Sequence, residues 1–223
     1  MNFSRHFDEY DNYSSVQKKV AENLVEYMKK KEVLRDEIHS IFEIGCGTGI
    51  FTRKYIKCFP SLKNLTLNDR FDVRAYISDI GYSTFIEGDI LDIDLPQSDL
   101  LLSSSVFQWI YDSDRLFKNI KNSTKKLCFS TYILGNLIEI KNHFGLSLEY
   151  KSLEELEKII KKYFKKISFY KETIKLDFEN PIELLRHLKY TGVTGLQKPS
   201  VNNVRSFKSK ILTYEVAYFI CEN

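Results

Sequence analysis

Residues 42–51, FEIGCGTGIF, place three glycines within five positions, directly after an apolar run. The whole chain has nine glycines in 223 residues, so this is a concentrated use of the residue. Glycine alone accepts left-handed dihedrals and lets a ligand approach the backbone without a side-chain penalty. A strand, a glycine-rich turn and then a helix are typical of the first turn of a nucleotide-binding sheet. The segment therefore predicts an α/β fold with a ligand site beside this turn.

Apolar runs alternate with helical patterns along most of the chain, which favours a parallel sheet covered by helices on both faces. In the last third, a capping-box pattern at Ser152 and Glu155 opens a helix to about Phe164. A further helix begins at Pro181, and Gly192 ends it. No repeat, low-complexity tract or linker separates these parts, so we expect a single domain. The predicted strands are 40–44, 65–67, 83–86, 100–103, 127–131, 167–178 and 212–221, and the other predicted helices are 15–31, 51–58 and 113–121.

The composition favours a soluble cytoplasmic protein. The four cysteines lie far apart, without the spacing of a metal site or a disulfide framework, so we expect reduced thiols and no metal. The first residues lack an apolar signal core, and no apolar stretch approaches the roughly 20 residues that span a bilayer. The net charge of +3 says little about partners. Lysine runs at 29–31, 118–126 and 161–166 either offer a basic face to an acidic partner or are solvated helix ends.

Two carboxylates follow the next predicted strands. Asp69 ends the second strand, 20 residues after Gly49, where a carboxylate can accept hydrogen bonds from the two hydroxyls of a ribose. Asp89 ends the third strand, where it can accept from an adenine amino group. Because the carboxyl ends of parallel strands meet at one edge, three turns converge on one crevice. The spacing G-x-G-x-G is not the dinucleotide pattern G-x-G-x-x-G, and no phosphate loop follows, so a small adenosyl and amino-acid ligand is favoured.

The segment Glu43-Ile-Gly45-Cys46-Gly47-Thr-Gly49 resembles the E-x-G-x-G-x-G signature of the class I S-adenosylmethionine-dependent methyltransferases. The resemblance covers residues 38–132 and, more loosely, the closing strand. It implies a Rossmann-like fold with a mostly parallel seven-stranded sheet, and S-adenosyl-L-methionine as the cofactor. In that family the glutamate orders the loop, the glycine segment meets the methionine moiety, and the carboxylate matching Asp69 holds the ribose. The cofactor-binding candidates are Gln17, Glu43, Gly45, Cys46, Gly47, Gly49, Asp69, Asp89, Ile90 and Ser104.

Three further stretches resemble the malonyl-[acyl-carrier protein] O-methyltransferases, the BioC family of biotin synthesis. Residues 3–17 are similar to the family's lead-in F-x-x-x-A-x-x-Y-[DE] with a later glutamine, although Phe7 stands where alanine is usual. The segment that ends in Gln108 and Trp109 resembles its S-N-x-x-x-Q-W, with serine in place of asparagine. Residues 184–192, LLRHLKYTG, resemble its L-L-x-x-L-K-x-T-G. This resemblance implies methylation of a carboxylate on a carrier-bound malonyl group.

Such a carboxylate is already ionised near neutral pH, so its methylation needs no general base. The enzyme must strip water from the oxygen and align it for in-line displacement. We predict that Tyr10 closes the site and donates a hydrogen bond, and that Arg186 binds the carboxylate with its guanidinium fork or else extends to solvent from an apolar helix. His187 is better explained as a surface histidine, because the reaction moves no proton. The substrate-side candidates are Tyr13, Gln108, Trp109 and His187.

The resemblance implies the acidic acyl-carrier protein as partner, for which the lysine runs are a possible docking surface, and a monomer without membrane or nucleic-acid contacts. It divides the single domain, 1–223, into lid helices at 1–35, a core at 38–132, and substrate-side insertions and closing strands at 133–223. Two other functions stay open: another small-molecule carboxylic acid O-methyltransferase, and a sensor that binds S-adenosylmethionine without turnover. A nucleic-acid methyltransferase is disfavoured, because neither an added basic domain nor an N/D-P-P-Y-type motif is present.

Overall fold

Seven strands form one mixed sheet, in the order β3-β2-β1-β4-β5-β7-β6, within residues 7–35, 37–191 and 201–223, which the computed structural model describes. The strands are β1 Ser40–Ile44, β2 Asn64–Asp69, β3 Thr84–Glu87, β4 Ser98–Ser104, β5 Thr124–Tyr132, β6 Lys166–Asp177 and β7 Ile211–Glu222. The helices in the same ranges are α1 Phe7–Tyr13, α2 Ser15–Lys30, α3 Ile50–Tyr55, α4 Ser113–Ser123, α5 Ile138–Phe144, α6 Leu153–Ile160, α7 Pro181–Thr191 and α8 Val201–Ser206. None of these helices is both long and apolar enough to cross a bilayer. The strand order confirms the predicted Rossmann-like sheet.

The first five strands are parallel, and β1 lies between β2 and β4. Strand β7 is antiparallel to both of its neighbours, β5 and β6. The carboxyl ends of β1 to β4 therefore meet at one edge of the sheet, with the loop that follows each strand. This is the edge at which ligands bind in open α/β sheets.

Adjacent residues of the central strands face opposite helix layers. In β1, Ile41 packs in the core with α2 and α3, whereas Phe42 packs in the core with α4 and α6. In β4, Leu100 and Leu102 face the first layer and Leu101 the second, and all three are fully buried. Because side chains alternate between the faces of a strand, a continuous apolar run fits a strand that is covered on both sides.

The predicted elements match the observed ones closely, with small differences at helix ends. The helix predicted at 51–58 is α3 followed by a 3-10 turn at Ile56–Cys58. Helix α6 ends at Ile160, short of Phe164, because the Lys162 and Tyr163 amides bond carbonyls only three residues back. Helices α5 and α8 were not predicted. Residues 1–6 and Gly192, which the sequence assigns to the family lead-in and a helix end, lie outside the described residues.

Candidate active site

A cavity of about 190 Å³ lies at the carboxyl edge of the sheet. The loops after β1, β2, β3 and β4 form its floor, and α1 and α2 contribute side chains from above. It brings together many of the predicted site residues: Tyr10, Gln17, Glu43, Gly45, Cys46, Gly47, Asp69, Asp89, Ile90, Ser104 and Trp109. It also includes residues that the sequence did not single out, among them Thr48, Asn68, Arg70, Phe71, Ser105, Val106 and Ile110. Five candidates, Gly49, Tyr13, Gln108, Arg186 and His187, are not among its lining residues.

The glycine turn combines tight packing with open space. Gly45 has a φ of +68°, and a Cβ atom there would come within 2.4 Å of Val106 Cγ2. Gly47 also has a left-handed φ, +52°, but a Cβ atom there would meet no atom within 4 Å among the described residues. The turn therefore needs Gly45 for the contact with the loop after β4, while Gly47 leaves room for a ligand against the backbone. Gly49 lies at the N-terminus of α3, where a Cβ atom would approach Ile80 Cδ1 to 2.6 Å, so its role is packing.

Glu43 is a buried carboxyl that ties β1 to α3. It is 1% exposed, and its Oε2 accepts hydrogen bonds from Thr52 Oγ1 and Tyr55 Oη, each at 2.7 Å. Burial raises the pKa of Glu43 to about 7, and the two hydroxyls partly offset that rise. Because these bonds hold the strand end against the helix, Glu43 orders the glycine turn between them, as the family resemblance implies.

Asp69 links the glycine turn to the loop after β2. Its Oδ2 accepts from the Gly47 amide at 2.9 Å, and its Oδ1 accepts from the Phe71 amide at 3.0 Å. Burial raises the pKa of Asp69, against the effect of these backbone donors. Each carboxylate oxygen has two lone pairs, so both retain one acceptor site for further donors in the cavity. Two hydroxyls of a ribose match that capacity.

The loop after β3 is held beside Asp69 by the preceding residue of β2. The side-chain amide of Asn68 donates to the carbonyl oxygens of Ile86, at 2.9 Å, and Gly88, at 3.1 Å. Asp89 follows Gly88, accepts from the Leu91 amide at 3.1 Å, and lies 3.7 Å from the guanidinium of Arg70. The predicted convergence of Asp69 and Asp89 on one crevice is therefore present. Asn68, which holds the loop after β3 in place, was not predicted from the sequence, because it stands next to Asp69, the more obvious site residue.

Helix α1 closes over the cavity. Tyr10 lines it, and burial raises the pKa of the phenol well above its ordinary value, so the hydroxyl is a neutral donor. The helix is tied to the glycine turn, because Thr48 Oγ1 donates to Asp11 Oδ1 at 2.7 Å. On its other side Tyr13 stacks on Tyr190 of α7, with ring centroids 4.6 Å apart. Tyr13 thus attaches the lid to α7 and does not contact the cavity.

The loop after β4 is shaped by Gln108. Its Nε2 donates to the Ser105 carbonyl at 2.5 Å, and its Oε1 accepts from Thr131 Oγ1 at 3.1 Å. These bonds join the ends of β4 and β5. Trp109 follows Gln108 and lines the cavity. Of this predicted pair, the structure brings the tryptophan to the cavity, while the glutamine fixes the loop that carries it.

Two neighbouring residues of α7 lie away from the cavity. His187 is 5% exposed, its Nε2 is 2.9 Å from the Tyr214 hydroxyl, and burial lowers its pKa to about 4. The expectation of a surface histidine is wrong, because the side chain is enclosed between α7 and β7, where Tyr214 satisfies it. Arg186 is exposed on the same helix and does not line the cavity, as expected for the alternative in which its side chain extends to solvent.

The three lysine runs lie at the opposite edge of the sheet. Lys126, near the start of β5, forms an ion pair with Glu222 at 2.9 Å, and Lys166 is in register with the same glutamate. Gln17, near the start of α2, lines the cavity, whereas Lys29 lies in the last turn of that helix, roughly 18 Å further along the axis at 1.5 Å per residue. Because each connecting helix ends near the amino ends of the strands, these runs do not lie at the cavity mouth.

The residues present fit S-adenosylmethionine. Gly47 leaves its Cβ position open, and Asp69 has spare acceptor capacity. The Oε1 atom of Gln17 is buried without a hydrogen-bond partner among the described residues, although it belongs to a cavity-lining side chain. A buried acceptor left unpaired costs about 1–3 kcal/mol, so this atom is suited to a donor on a bound molecule, such as the ammonium of a methionine moiety.

Comparisons with known proteins agree with the fold and the site. A family model described as "Methyltransferase domain" matches residues 42–127. The solved structure of the plantazolicin methyltransferase BpumL in complex with S-adenosylhomocysteine has the same fold, with a TM-score of 0.57 and 16% identity, covering 96% of this chain and 88% of that one. Fold and site together define a class I S-adenosylmethionine-dependent methyltransferase.

Two curated relatives are more similar in sequence. The malonyl-[acyl-carrier protein] O-methyltransferase of Calditerrivibrio nitroreducens is 33% identical, over 98% of this chain and 94% of the relative. The enzyme of the same name from Bacteroides thetaiotaomicron is 32% identical, over 89% of this chain and 78% of the relative. The chain belongs to the malonyl-[acyl-carrier protein] O-methyltransferase family.

Proposed function

We propose that this protein transfers a methyl group to the free carboxylate of malonyl-[acyl-carrier protein], giving the malonyl methyl ester from which the pimeloyl part of biotin is built. The observation that carries the proposal is the cavity in which the glycine turn, Asp69 and Asp89 meet, in a chain of this family.

The cofactor is held by residues from four strand ends. Asp69 accepts the ribose hydroxyls, Asp89 accepts the adenine amino group, and Gly47 admits the ligand against the backbone. Gln17 faces the amino-acid end from α2. When bound, S-adenosylmethionine supplies an electrophilic methyl group on a positively charged sulfur.

The acceptor needs positioning and not deprotonation. A malonyl carboxylate is ionised near neutral pH, since the pKa of such an acid lies well below 7. With the cofactor bound, a lone pair of the carboxylate would accept the methyl group that the sulfonium supplies, a neutral thioether would remain, and no proton would need to move. The chain contributes by excluding water with Tyr10 and α1 and by holding the oxygen in line with the breaking bond.

The proposal is tested with radiolabelled S-adenosylmethionine and malonyl-carrier protein. Label should enter the acyl group, and acetyl-carrier protein, which lacks a free acid, should accept none. Methylation of small free acids without any need for the carrier would indicate a different acceptor. Tight binding of the cofactor without transfer to any acid would indicate a sensor.

Docking of the acidic carrier should not depend on the lysine runs. They lie at the far edge of the sheet, more than a Debye length of about 8–10 Å from the cavity at physiological salt, so their charges are screened there. Charge reversal at Lys125 should therefore leave the KM for malonyl-carrier protein unchanged. A severalfold rise in KM would show that the carrier reaches this edge.

We also infer a cytoplasmic monomer. All four cysteines are free thiols, three of them buried, which suits a reducing compartment. One chain supplies the four strand ends and both covering helices of the cavity, so the site does not require a second copy. Light scattering of the purified protein should give a mass near 26.3 kDa.

A further inference from the structure

One long segment near the end of the chain carries charge of a single sign. From Leu184 to Tyr214 the sequence contains six lysines and arginines but no aspartate or glutamate. The whole chain has a net charge of +3, to which this segment contributes +6, so the rest of the chain is net negative. Five of the six cations lie within the described residues and are exposed, and we call them the basic face: Arg186, Lys189, Arg205, Lys208 and Lys210.

The cations of the basic face are not in ion pairs in the part of the chain that the structure describes. Exposed lysines at the end of α6 differ in this respect, because Lys161 pairs with Glu157 at 2.6 Å and Lys162 with Asp114 at 2.8 Å. The charge of the basic face is therefore free to attract an anionic partner.

The basic face lies at the same edge of the sheet as the cavity. Strands β5 and β6 are both antiparallel to β7, so α7 follows β6, and α8 precedes β7, at the carboxyl edge. The Phe178 amide donates to the Lys210 carbonyl at 2.8 Å and joins the segment before α7 to the segment after α8. Strand β7 is two strands away from β4, roughly 10 Å at the usual strand spacing. The basic face therefore flanks the cavity and does not cover it.

Exposed apolar side chains accompany these cations. Large exposed apolar residues among those described are Tyr111, Leu134, Ile138, Ile182, Val204 and Ile211. The first three follow β4 and β5, and the other three lie in α7, in α8 and at the start of β7, so all six are at the carboxyl edge. Single scattered apolar residues are normal on a surface, but their concentration at one edge indicates a contact with another molecule.

We propose that the basic face, together with Ile182, Val204 and Ile211, is the docking surface for the acidic acyl-carrier protein. This inference rests on the proposed function, because it names the surface that receives the carrier for that reaction. The cations attract and orient the acidic carrier, and the apolar side chains pack against it. The carrier then binds beside the cavity, and its thioester arm brings the malonyl group across the remaining distance.

This position also places the carrier next to the lid. Helix α7 is attached to α1 through the stacking of Tyr13 on Tyr190, with ring centroids 4.6 Å apart, and α1 covers the cavity. An anionic membrane would attract the same combination of cations and apolar side chains. The carrier is the better match, since the surface stands beside a cavity whose proposed substrate arrives on an acidic protein.

The test compares one malonyl thioester with and without its carrier. The variant Arg205→Glu/Lys208→Glu reverses two charges of the basic face, and neither residue lines the cavity. The matched control is Lys121→Glu/Lys125→Glu, which makes the same change in net charge at exposed positions near the opposite edge of the sheet. Kinetic constants are measured with malonyl-carrier protein and with malonyl-pantetheine. The affinity for S-adenosylhomocysteine, which should be unchanged, shows that each variant is folded.

Arg205→Glu/Lys208→Glu should raise the KM for malonyl-carrier protein about tenfold or more and leave the KM for malonyl-pantetheine unchanged. The neutral variant Arg205→Gln/Lys208→Gln should show a smaller rise, and Lys121→Glu/Lys125→Glu none. Added salt should raise the wild-type KM for the carrier, because screening weakens the attraction, and should affect Arg205→Glu/Lys208→Glu much less. An unchanged KM for the carrier in Arg205→Glu/Lys208→Glu, or an equal rise in the control, would overturn the inference.

A binding measurement separates this inference from the proposed function. Fluorescence anisotropy of labelled malonyl-carrier protein, with the enzyme saturated by S-adenosylhomocysteine, needs no turnover. Carrier binding that is lost in Arg205→Glu/Lys208→Glu, in a protein that does not methylate the carrier, would refute the proposed function and support the docking surface. Binding of phosphatidylglycerol vesicles that this variant loses, while it keeps its affinity for the carrier, would assign the basic face to a membrane and overturn the inference.

Discussion

Replacing Asp69 with alanine should weaken cofactor binding by about 1–3 kcal/mol, the usual worth of a hydrogen bond to a charged group. The carboxylate already accepts from the Gly47 and Phe71 amides at 2.9 and 3.0 Å and has one acceptor site left on each oxygen. Alanine removes the sites for the ribose and releases the glycine turn. The dissociation constant for S-adenosylhomocysteine should therefore rise by roughly 5- to 150-fold.

Two assays can follow this change. Calorimetry gives the dissociation constant directly, and Trp109, the single tryptophan of the chain, lines the cavity and should change its fluorescence when ligand binds. Asp69→Asn keeps one acceptor oxygen and should lose less affinity than Asp69→Ala. Asp72→Ala is the matched control, because Asp72 is exposed, pairs with Arg74 and does not line the cavity. Equal affinities for wild type and Asp69→Ala, or an equal loss in Asp72→Ala, would mean that the ribose lies elsewhere.

Three further perturbations test the remaining parts of the site. Gly47→Ala should lower cofactor affinity, measured by calorimetry, far more than Gly81→Ala. Both positions have open space around a Cβ atom, but only Gly47 lines the cavity and has a left-handed φ. Equal affinities of the two variants would show that the cofactor does not lie against Gly47. In the cofactor-free protein, the Glu43 carboxyl should stay protonated up to about pH 7 when the protein is folded, but ionise near pH 4.5 when it is unfolded. Glu43 should therefore lower the free energy of unfolding by about 3 kcal/mol as the pH rises from 4.5 to 7. His187, with a pKa of about 4, should make the free energy of unfolding rise as the pH increases from 4 to 6.5. The stabilities of Glu43→Gln and His187→Gln, measured by denaturant titration, should therefore diverge with pH. Parallel pH dependences of the two variants would contradict both pKa assignments. Thr48→Val should speed release of S-adenosylhomocysteine in stopped-flow fluorescence by removing the bond that holds α1 over the cavity, and an unchanged rate would show that this bond does not retain the ligand.

The sheet and the cofactor side of the site could be predicted because their signals are local. The glycine turn, Asp69 and Asp89 each stand directly after an apolar strand, and parallel strands bring their carboxyl ends together without further information. The first five predicted strands needed only short apolar runs and their turn residues, whereas the last two were indicated by longer runs. Helix α5, by contrast, has seven residues, too few for its periodicity to be recognised.

The acceptor side depends on contacts between distant residues, and the sequence could not show these. His187 looked like a surface residue because its partner, Tyr214, lies 27 residues later on β7. Gln108 was grouped with Trp109, but its bond to Thr131 joins two strand ends 23 residues apart.

Strand β7 is the last strand in sequence but lies in the interior of the sheet, between β5 and β6. During synthesis, β5 must therefore wait with an open edge until residues 211–222 have left the ribosome, and β6 has no place in the sheet before then. An exposed strand edge is a template for pairing with other chains. Nascent chains that stall or are cleaved before β7 should consequently be prone to aggregate, even though every strand that contributes to the cofactor site has already been made.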